Sequence, residues 1–233
     1  HYKRYINIGL LLNHVVNSYL ICVVFIYTIG SGNSVFPKRC FVFFFNYLCC
    51  KSEHFVAYRI DLPRLGEYDL ANQEDCVNGV CADPILRFEV EEIIVHPDYD
   101  GMSHDIAVLR LAQDAPYTDF IRPICLPSGE LQPDTIFAAT GWGQIPLQEY
   151  YSSTKKIIPL PIWSRDKCEA AYKSLKIPDN VVCAGGQEGI DTCRGDSGGP
   201  LVWFKNRAEL WGVTSLPSQF MNLLHRAGHA AAL

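Results

Sequence analysis

The chain has 233 residues, of which 48% are hydrophobic and 19% are charged, and its formal net charge is −5. This length allows one large domain or two small ones, while the composition excludes collagen, low-complexity disorder and a strongly basic nucleic-acid binder. Charge is distributed unevenly: residues 1–60 hold one acid and six bases, residues 61–215 hold 24 acids and 13 bases, and residues 216–233 hold one base. The chain is therefore an acidic globular stretch with two ends of different composition.

The N-terminal segment, residues 1–60, contains two apolar runs, at 19–29 and 41–50. Each is shorter than the roughly 20 residues that a membrane-spanning helix requires, and neither has the period of a strand or a helix. A signal-peptide remnant and a membrane anchor are two alternatives. We interpret residues 1–60 instead as sequence foreign to the native protein, and we expect no membrane contact.

Short β-branched or apolar runs recur from about residue 65 onward and are separated by Pro, Gly, Asp and Ser. Seven of them lie at 92–95, 106–111, 136–140, 157–160, 181–183, 200–204 and 210–214. Frequent short strands divided by turn residues predict an all-β barrel or sandwich.

The strongest motif is the string DTCRGDSGGP at 191–200. Ser197 is a hydroxyl nucleophile with glycines close by, and Gly195 permits close approach of the backbone to a substrate because it has no Cβ. The N–H groups of Gly195 and Ser197 are predicted to form an oxyanion hole, which would stabilise a tetrahedral intermediate. A glycine-rich turn between strands explains only part of this string.

The string CRGDSGGP resembles the active-site signature of the chymotrypsin/trypsin family of serine endopeptidases. Eight further segments match that family in its order: LGEYDL (65–70), IVHPDY (94–99), DIAVLRL (105–111), RPICLP (122–127), TGWG (140–143), PLPIWSRDKC (159–168), VCAGG (182–186) and WGVTS (211–215). The resemblance implies a trypsin-like double six-stranded β-barrel, with the first barrel only partly matched and the second truncated. It divides the chain into a partial protease domain at 61–215 and two segments without resemblance, 1–60 and 216–233.

The resemblance also assigns roles to polar residues. Asp105 matches the family's triad aspartate, which orients the catalytic histidine and stabilises its imidazolium form. Asp191 matches the carboxylate at the floor of the primary specificity pocket and implies cleavage after Arg or Lys. Asp196 matches the structural aspartate that pairs with the ammonium group released by activation cleavage. Ser215 matches the residue whose carbonyl holds the substrate backbone.

Ten cysteines without a CxxC pair favour disulfides in an oxidising compartment over a zinc site. In the family pattern, Cys168 pairs with Cys183, and Cys125 ties the protease domain to an upstream light chain. Cys76 and Cys81 bracket a short loop and are expected to bridge each other. That extra bridge is similar to one in the clip-domain serine proteases of arthropods.

One family bridge is replaced, because Phe137 and Trp203 stand at its two positions, and these large apolar groups are expected to pack together. Cys193 is predicted to be a free thiol, since its usual partner lies beyond Ser215, where the sequence has no cysteine. The acidic loop around Glu67 resembles the calcium loop of trypsins, with a solvated acidic loop as the alternative. No cofactor is expected to be required, and calcium is the one candidate.

Three features depart from the family pattern. The sequence contains no Arg/Lys-(Ile/Val)-Val-Gly-Gly activation site, and the resemblance stops after Ser215. The family's histidine motif is also missing, so that His54, in the context KSEHF, is the candidate for the catalytic base. Without a base, Ser197 is a weak nucleophile, and the chain as written is expected to be inactive. We interpret both ends as translated noncoding sequence joined to a protease core.

The sequence therefore predicts a trypsin-like serine endopeptidase that cleaves protein substrates after Arg or Lys. It is expected to be a secreted, extracellular zymogen in a proteolytic cascade such as those of arthropod immunity. The alternative is a non-catalytic serine protease homologue that acts as a binding partner or cofactor. A membrane-anchored interaction protein would require the N-terminal segment to be genuine, and no nucleic-acid partner is expected.

Overall fold

The computed structural model describes residues 63–215 apart from 100–102, 128, 146–149, 174–175, 188 and 194, together with the backbone of residues 20–25, 40–41, 45–49 and 229–232. These described parts form the strands β1 (Leu20–Phe25), β2 (Cys40–Phe41), β3 (Phe45–Cys49), β4 (Arg64–Leu65), β5 (Cys76–Val77), β6 (Val80–Cys81), β7 (Leu86–Arg87), β8 (Val90–Val95), β9 (Ala107–Leu111), β10 (Ile124–Cys125), β11 (Ile136–Gly141), β12 (Lys156–Pro161), β13 (Val181–Ala184), β14 (Pro200–Phe204), β15 (Ala208–Thr214) and β16 (His229–Ala232), with one helix, α1 (Arg165–Ala171). The predicted all-β class is confirmed, and each of the seven runs singled out in the sequence contributes a strand.

The first sheet contains four strands in the order β3-β1-β9-β8. β8 is antiparallel to β9, and β1 lies parallel to β9 on its other edge, although the apolar run at 19–29 lacks the alternation typical of a strand. Buried and exposed side chains alternate along β9, and its buried face contributes Leu109 to a core with Leu65 and Ile121. This core supports the start of β9, which directly follows the segment that carries Asp105.

The second sheet contains eight strands, with the path β12-β11-β14-β15-β10-β2, and β16 pairs with both β13 and β15. Its apolar core includes Phe137 on β11, which is 1% exposed, and Trp203 on β14 packs against the same cluster. Trp203 also meets Trp211 edge-on, with ring centroids 5.7 Å apart. Apolar packing therefore occupies the two positions where the family pattern has a disulfide.

A β-bulge interrupts the pairing of β14 with β15. Leu201 and Val202 are consecutive on β14 but lie opposite Gly212 and Leu210, so Trp211 is the additional residue on β15. The bulge therefore sets the register in which the end of β15 meets the loop that precedes β14.

The helix α1 is short, and a side-chain cap fixes its start. The Ser164 hydroxyl accepts the Lys167 N–H at 3.3 Å, and Asp166 places a negative charge in the first turn. A disulfide joins Cys168 on α1 to Cys183 on β13. Within the described parts of the chain, we find no helix whose length and apolarity would allow it to cross a membrane.

The strands β5 and β6 form a hairpin closed by a disulfide between Cys76 and Cys81, which lie directly opposite each other. Its two turn residues, Asn78 and Gly79, have φ angles of 52° and 79°. A type I′ turn needs positive φ at both central positions, and Asn-Gly adopts this conformation more readily than other pairs. The sequence of the loop therefore favours the geometry in which its two cysteines meet.

Candidate active site

Ser197 lies in a tight turn that leads into β14, and only 3% of the residue is exposed. The Gly199 N–H donates to the Asp196 carbonyl at 2.9 Å and closes the turn, and Gly198 has a φ of 81°, which favours glycine. A Cβ at Gly199 would lie 2.3 Å from the carbonyl oxygen of Thr140. The turn therefore packs directly against β11, and this contact fixes where Ser197 stands.

Asp196 anchors the same turn through backbone donors from two segments. Its carboxylate accepts the N–H groups of Gly143 and Cys193, both at 2.8 Å. Cβ atoms at Gly141 and Gly143 would lie 2.1 Å and 2.4 Å from the carboxylate oxygens, so glycine is required at both positions. The sequence analysis used TGWG only as a family marker and missed this function. The signal was the pair of glycines two residues apart at the end of a strand.

Asp105 lies immediately before β9 and is 4% exposed. Its Oδ2 accepts a hydrogen bond of 2.7 Å from the Ser215 hydroxyl, which is 110 positions away in the chain. The neighbour of Ser215, Thr214, accepts the Gly198 N–H at 2.7 Å through its carbonyl oxygen. The end of β15 therefore connects Asp105 to the turn that carries Ser197, and three of the residues singled out in the sequence belong to one site.

Gly195 lies two residues before Ser197 and has a φ of 105°. A Cβ at this position would lie 2.8 Å from the ring of Tyr151 and 2.9 Å from the Cα of Gly143. Glycine is thus required by the backbone conformation and by the close packing, and the sequence analysis missed Tyr151 as a neighbour. The oxyanion role of the Gly195 and Ser197 N–H groups stays a prediction. His54, the candidate base, lies outside the described residues.

Asp191 is half-buried and lies close to Gly185 and Tyr172. A Cβ at Gly185 would lie 3.1 Å from the Asp191 carboxylate, and the Trp163 indole N–H donates to the Gly185 carbonyl at 2.8 Å. Burial, together with the charge of Asp191, raises the pKa of Tyr172 to about 12. Tyr172 therefore stays a neutral phenol beside the carboxylate. Tyr172 follows α1 and packs in one cluster with Cys168 and Cys183, so the bridge between these cysteines helps to position Tyr172 near Asp191.

Glu67 is fully buried and binds cations of its own chain. Its Oε2 accepts from the Arg64 guanidinium at 3.2 Å, its backbone carbonyl accepts from the Lys155 ammonium at 3.4 Å, and its Oε1 has no hydrogen-bond partner. Burial raises the pKa of Glu67 and lowers that of Lys155 to about 7. In the same loop, the Asp75 carboxylate accepts two backbone N–H groups.

Calcium requires six to eight oxygen ligands, whereas this loop offers Oε1 of Glu67 beside two cationic side chains. The arrangement around Glu67 therefore fits a calcium ion poorly. The calcium prediction at Glu67 stays a prediction.

Cys193 and Cys125 differ in whether they form a disulfide bond. Among the described residues, Cys193 is a free cysteine and is partly exposed, as the sequence predicted. Cys125 on β10 is disulfide-bonded, and its partner lies outside the described residues.

Comparisons with known proteins identify one family. The Trypsin family model matches residues 57–228 of this chain. The chain belongs to the trypsin family. We predicted that the protease domain extends from residue 61 to residue 215. The family match begins before that range and continues past it. The predicted bounds stay a prediction.

Several curated relatives are clip-domain members of the trypsin family. CLIP domain-containing serine protease B9 of Anopheles gambiae is 39% identical over 163 residues, and Phenoloxidase-activating enzyme of Bombyx mori is 42% identical over 177 residues. Each alignment covers 65% of this chain and 40% of the relative, so the chain spans less than half of their length. Spaetzle-processing enzyme of Drosophila melanogaster is 40% identical over 154 residues, covering 60% of this chain and 38% of the relative.

Among solved structures, the chain is similar to neuropsin, a serine protease expressed in mouse brain. The TM-score is 0.59, the sequence identity is 30%, and the alignment covers 75% of each chain. The trypsin-like fold predicted from the sequence is thereby confirmed.

Proposed function

We propose that this chain is part of a trypsin-like serine endopeptidase of the clip-domain type. The observation that carries the proposal is the hydrogen bond from Ser215 to the buried Asp105, together with the bond from Gly198 to Thr214 beside it. These contacts bring an ionisable, oriented carboxylate to the turn that holds Ser197. A glycine-rich turn of purely structural function would not need a buried aspartate at this place.

In this proposal, Ser197 attacks the substrate carbonyl, and a catalytic histidine, for which His54 is the candidate in this chain, accepts the proton of its hydroxyl. Asp105 accepts the imidazole N–H and stabilises the imidazolium that forms. The N–H groups of Gly195 and Ser197 stabilise the oxyanion of the tetrahedral intermediate. The Ser215 carbonyl binds the substrate backbone, while its hydroxyl keeps Asp105 in position.

Asp191 determines specificity for Arg or Lys in this proposal. A cationic side chain entering the pocket would pair with the half-buried carboxylate, whereas an apolar side chain would leave it buried without a cation. A Cβ at Gly185 would lie 3.1 Å from the Asp191 carboxylate, so glycine keeps this carboxylate free of a close side-chain contact. The neutral hydroxyl of Tyr172 lies in the same region and adds no competing charge.

The protein acts outside the cell as a zymogen in a proteolytic cascade, according to this proposal. The disulfides Cys76–Cys81 and Cys168–Cys183 suit an oxidising compartment. Two relatives carry names that describe activation or processing of other proteins. The substrate would be a protein, and a light chain attached through Cys125 is part of the proposal.

The proposal is tested by labelling with a fluorophosphonate, which reacts with an activated serine. We compare this 233-residue chain with the full-length product of the same transcript, both after limited activation by trypsin. The full-length product should be labelled, its Ser197→Ala variant should not, and the exposed control Ser153→Ala should be labelled like the parent. A full-length product that folds but is not labelled would overturn the enzyme proposal in favour of a non-catalytic homologue.

The chain as printed is expected not to be labelled, because its one histidine upstream of Asp105 in the right region, His54, lacks the family context. Turnover of an Arg substrate by the printed chain, abolished in His54→Ala, would contradict this expectation and identify His54 as the base. In the active form, Asp105→Asn should lower kcat by about 10⁴-fold. The exposed control Asp134→Asn should leave kcat unchanged.

Specificity is tested separately with peptide substrates that differ only in the residue before the cleaved bond. Asp191→Ser should lower kcat/KM for Arg substrates by about 10²–10³-fold, since it removes the partner of a buried cation. The control Asp134→Ser should have no such effect. Unchanged cleavage after Arg in Asp191→Ser would refute the specificity proposal and leave the protease proposal standing.

A further inference from the structure

Two histidines and an aspartate meet at the loop that connects β8 to β9. His96 follows the last residue of β8, Asp98 lies two residues later, and His104 is close to the start of β9. The His96 N–H donates to the Ile106 carbonyl at 3.1 Å, and the Ile106 N–H donates to the His104 carbonyl at 2.7 Å. These bonds hold the two ends of the loop, and therefore the two histidines, next to each other.

The two imidazole rings are stacked. Their centroids are 4.5 Å apart and their planes differ by 19°. Imidazole binds metal ions through a ring nitrogen, and the stacking brings the two rings close enough for one ion to reach both. His104 has a φ of 55°, an uncommon conformation for a residue other than glycine, and this places its ring over His96.

Each ring presents a nitrogen that can act as an acceptor and so can hold a metal ion. Nδ1 of His96 accepts the Asp98 N–H at 3.1 Å, and a metal ion bound to this nitrogen would replace that single hydrogen bond. Nδ1 of His104 is buried and has no hydrogen-bond partner. A buried polar atom without a partner costs free energy, which a bound metal ion would recover.

The carboxylate of Asp98 completes a set of three ligands. One donor atom from each of His96, Asp98 and His104 lies within 4.8 Å of the other two. Asp98 is exposed and both histidines are half-buried, so ions in solution can reach the set. Around a tetrahedral zinc ion, neighbouring ligand atoms are about 3.3 Å apart, a distance that small side-chain rotations would achieve.

We propose that His96, Asp98 and His104 form a binding site for a divalent transition-metal ion, with Zn²⁺ as the best match. Two imidazole nitrogens and one carboxylate oxygen suit zinc, whereas calcium and magnesium prefer oxygen ligands alone. With three protein ligands, the ion keeps a coordination position for water or an exogenous group. The site does not include Ser197, Asp191 or Asp196, and it does not depend on the proposed proteolytic function.

The test uses Co²⁺ as a spectroscopic probe on the full chain, with visible absorption reporting the ligands. The full chain should bind one Co²⁺ whose d–d bands indicate four or five nitrogen and oxygen ligands. His96→Gln and Asp98→Asn should each weaken that binding by at least tenfold. The controls His54→Gln and Asp83→Asn should bind like the parent. They are needed because the chain contains five further histidines.

A variant at His104 must tolerate the positive φ of this residue. His104→Asn is the appropriate choice, because asparagine tolerates positive φ and its shorter side chain does not reach the other ligands. It should also weaken Co²⁺ binding by at least tenfold, with an unchanged far-ultraviolet circular dichroism spectrum. If this variant fails to fold, His96→Gln and Asp98→Asn, whose side chains are more accessible, still decide the question.

A second measurement is independent of spectroscopy. Zn²⁺ should raise the thermal unfolding midpoint of the parent and of both controls, and the rise should be lost in His96→Gln and Asp98→Asn. Equal affinities in ligand variants and controls would overturn the proposal. An intense sulfur-to-cobalt charge-transfer band would also overturn it, because that band would place the metal at a cysteine such as Cys193.

Discussion

Asp196 and Glu67 are both buried carboxylates, and the fold stabilises them in different ways. Asp196 accepts two backbone N–H groups at 2.8 Å, and glycines at 141 and 143 leave room for it. Glu67 meets the side-chain cation of Arg64, and one of its oxygens has no partner. The comparison shows that two backbone donors satisfy both oxygens of Asp196, whereas burial raises the pKa of Glu67 and its contact with Arg64 offsets that rise only in part.

The largest effect should come from removing the space that Asp196 occupies. Gly143→Ala places a Cβ 2.4 Å from the carboxylate and should destabilise the protein by about 3 kcal/mol, lowering the thermal midpoint by roughly 6–12 °C. The control Gly189→Ala has a positive φ but open space around it, and should cost only about 1 kcal/mol. Equal losses in both variants would show that backbone conformation, and not crowding at Asp196, limits these positions.

The second-largest effect should come from replacing the buried carboxylates themselves by amides. Asp196→Asn replaces an acceptor by a group that offers an N–H to backbone donors, and should cost about 2 kcal/mol. Glu67→Gln should cost less than about 1 kcal/mol, since burial already favours the neutral form of Glu67. Urea unfolding at pH 7 measures both. The comparison fails if Glu67→Gln proves the more damaging of the two substitutions.

The stability of the protein should depend on pH through Lys155, whose ammonium group donates to the backbone carbonyl of Glu67. Its pKa is about 7 in the folded state against 10.5 for an ordinary lysine, and burial is the main cause. Between pH 7 and 10.5 the unfolded chain binds more protons at this group, so its contribution to stability rises with pH, by at most about 1.4 kcal/mol per pH unit.

Unfolding by urea at pH 7 and pH 9 measures this rise. Lys155→Met should flatten the rise, whereas the exposed neighbour Lys156→Met should retain it. If the stability of the parent protein rises between pH 7 and pH 9 by no more than that of Lys155→Met, the effect is disproved.

The smallest effect should come from breaking an ion pair that is exposed to solvent. Asp119 and Arg122 form an ion pair of 2.6 Å, with side chains 77% and 55% exposed. Removing it by Arg122→Ala should change stability by no more than about 0.5 kcal/mol, and added salt should reduce the change further. A loss comparable to that of Asp196→Asn would mean that burial does not distinguish these sites.

The sequence predicted the parts of the fold that local patterns encode. Short apolar runs such as the one at 106–111 became strands, and the loop bracketed by Cys76 and Cys81 is closed by the expected disulfide. The grouping of Asp105, Ser197 and Ser215 was anticipated through the family resemblance alone. Nothing in the residues themselves encodes a hydrogen bond between positions 110 apart.

Other contacts escaped prediction because they depend on packing between distant segments. The contact of Asp196 with Gly143 spans 53 positions, and Tyr172 lies near Asp191 in a part of the fold where a disulfide joins α1 to β13. The stacking of His96 on His104 depends on the positive φ of His104, which has no signature in the residue type. The strand at 20–25 was missed because its continuous apolar run does not alternate.

The bulge at Trp211 determines where the chain tolerates a change of length. Deleting Trp211 would remove the additional residue while Leu201 stays opposite Gly212 and Val202 opposite Leu210, so Ser215 would keep its place. Deleting Val213, which lies opposite Pro200 beyond the bulge, would instead advance Ser215 by one position. Because successive side chains of a strand point to opposite faces, the hydroxyl of Ser215 would then turn away from Asp105. Such a deletion would leave Asp105, Ser197 and Ser215 in the sequence and still separate them in space.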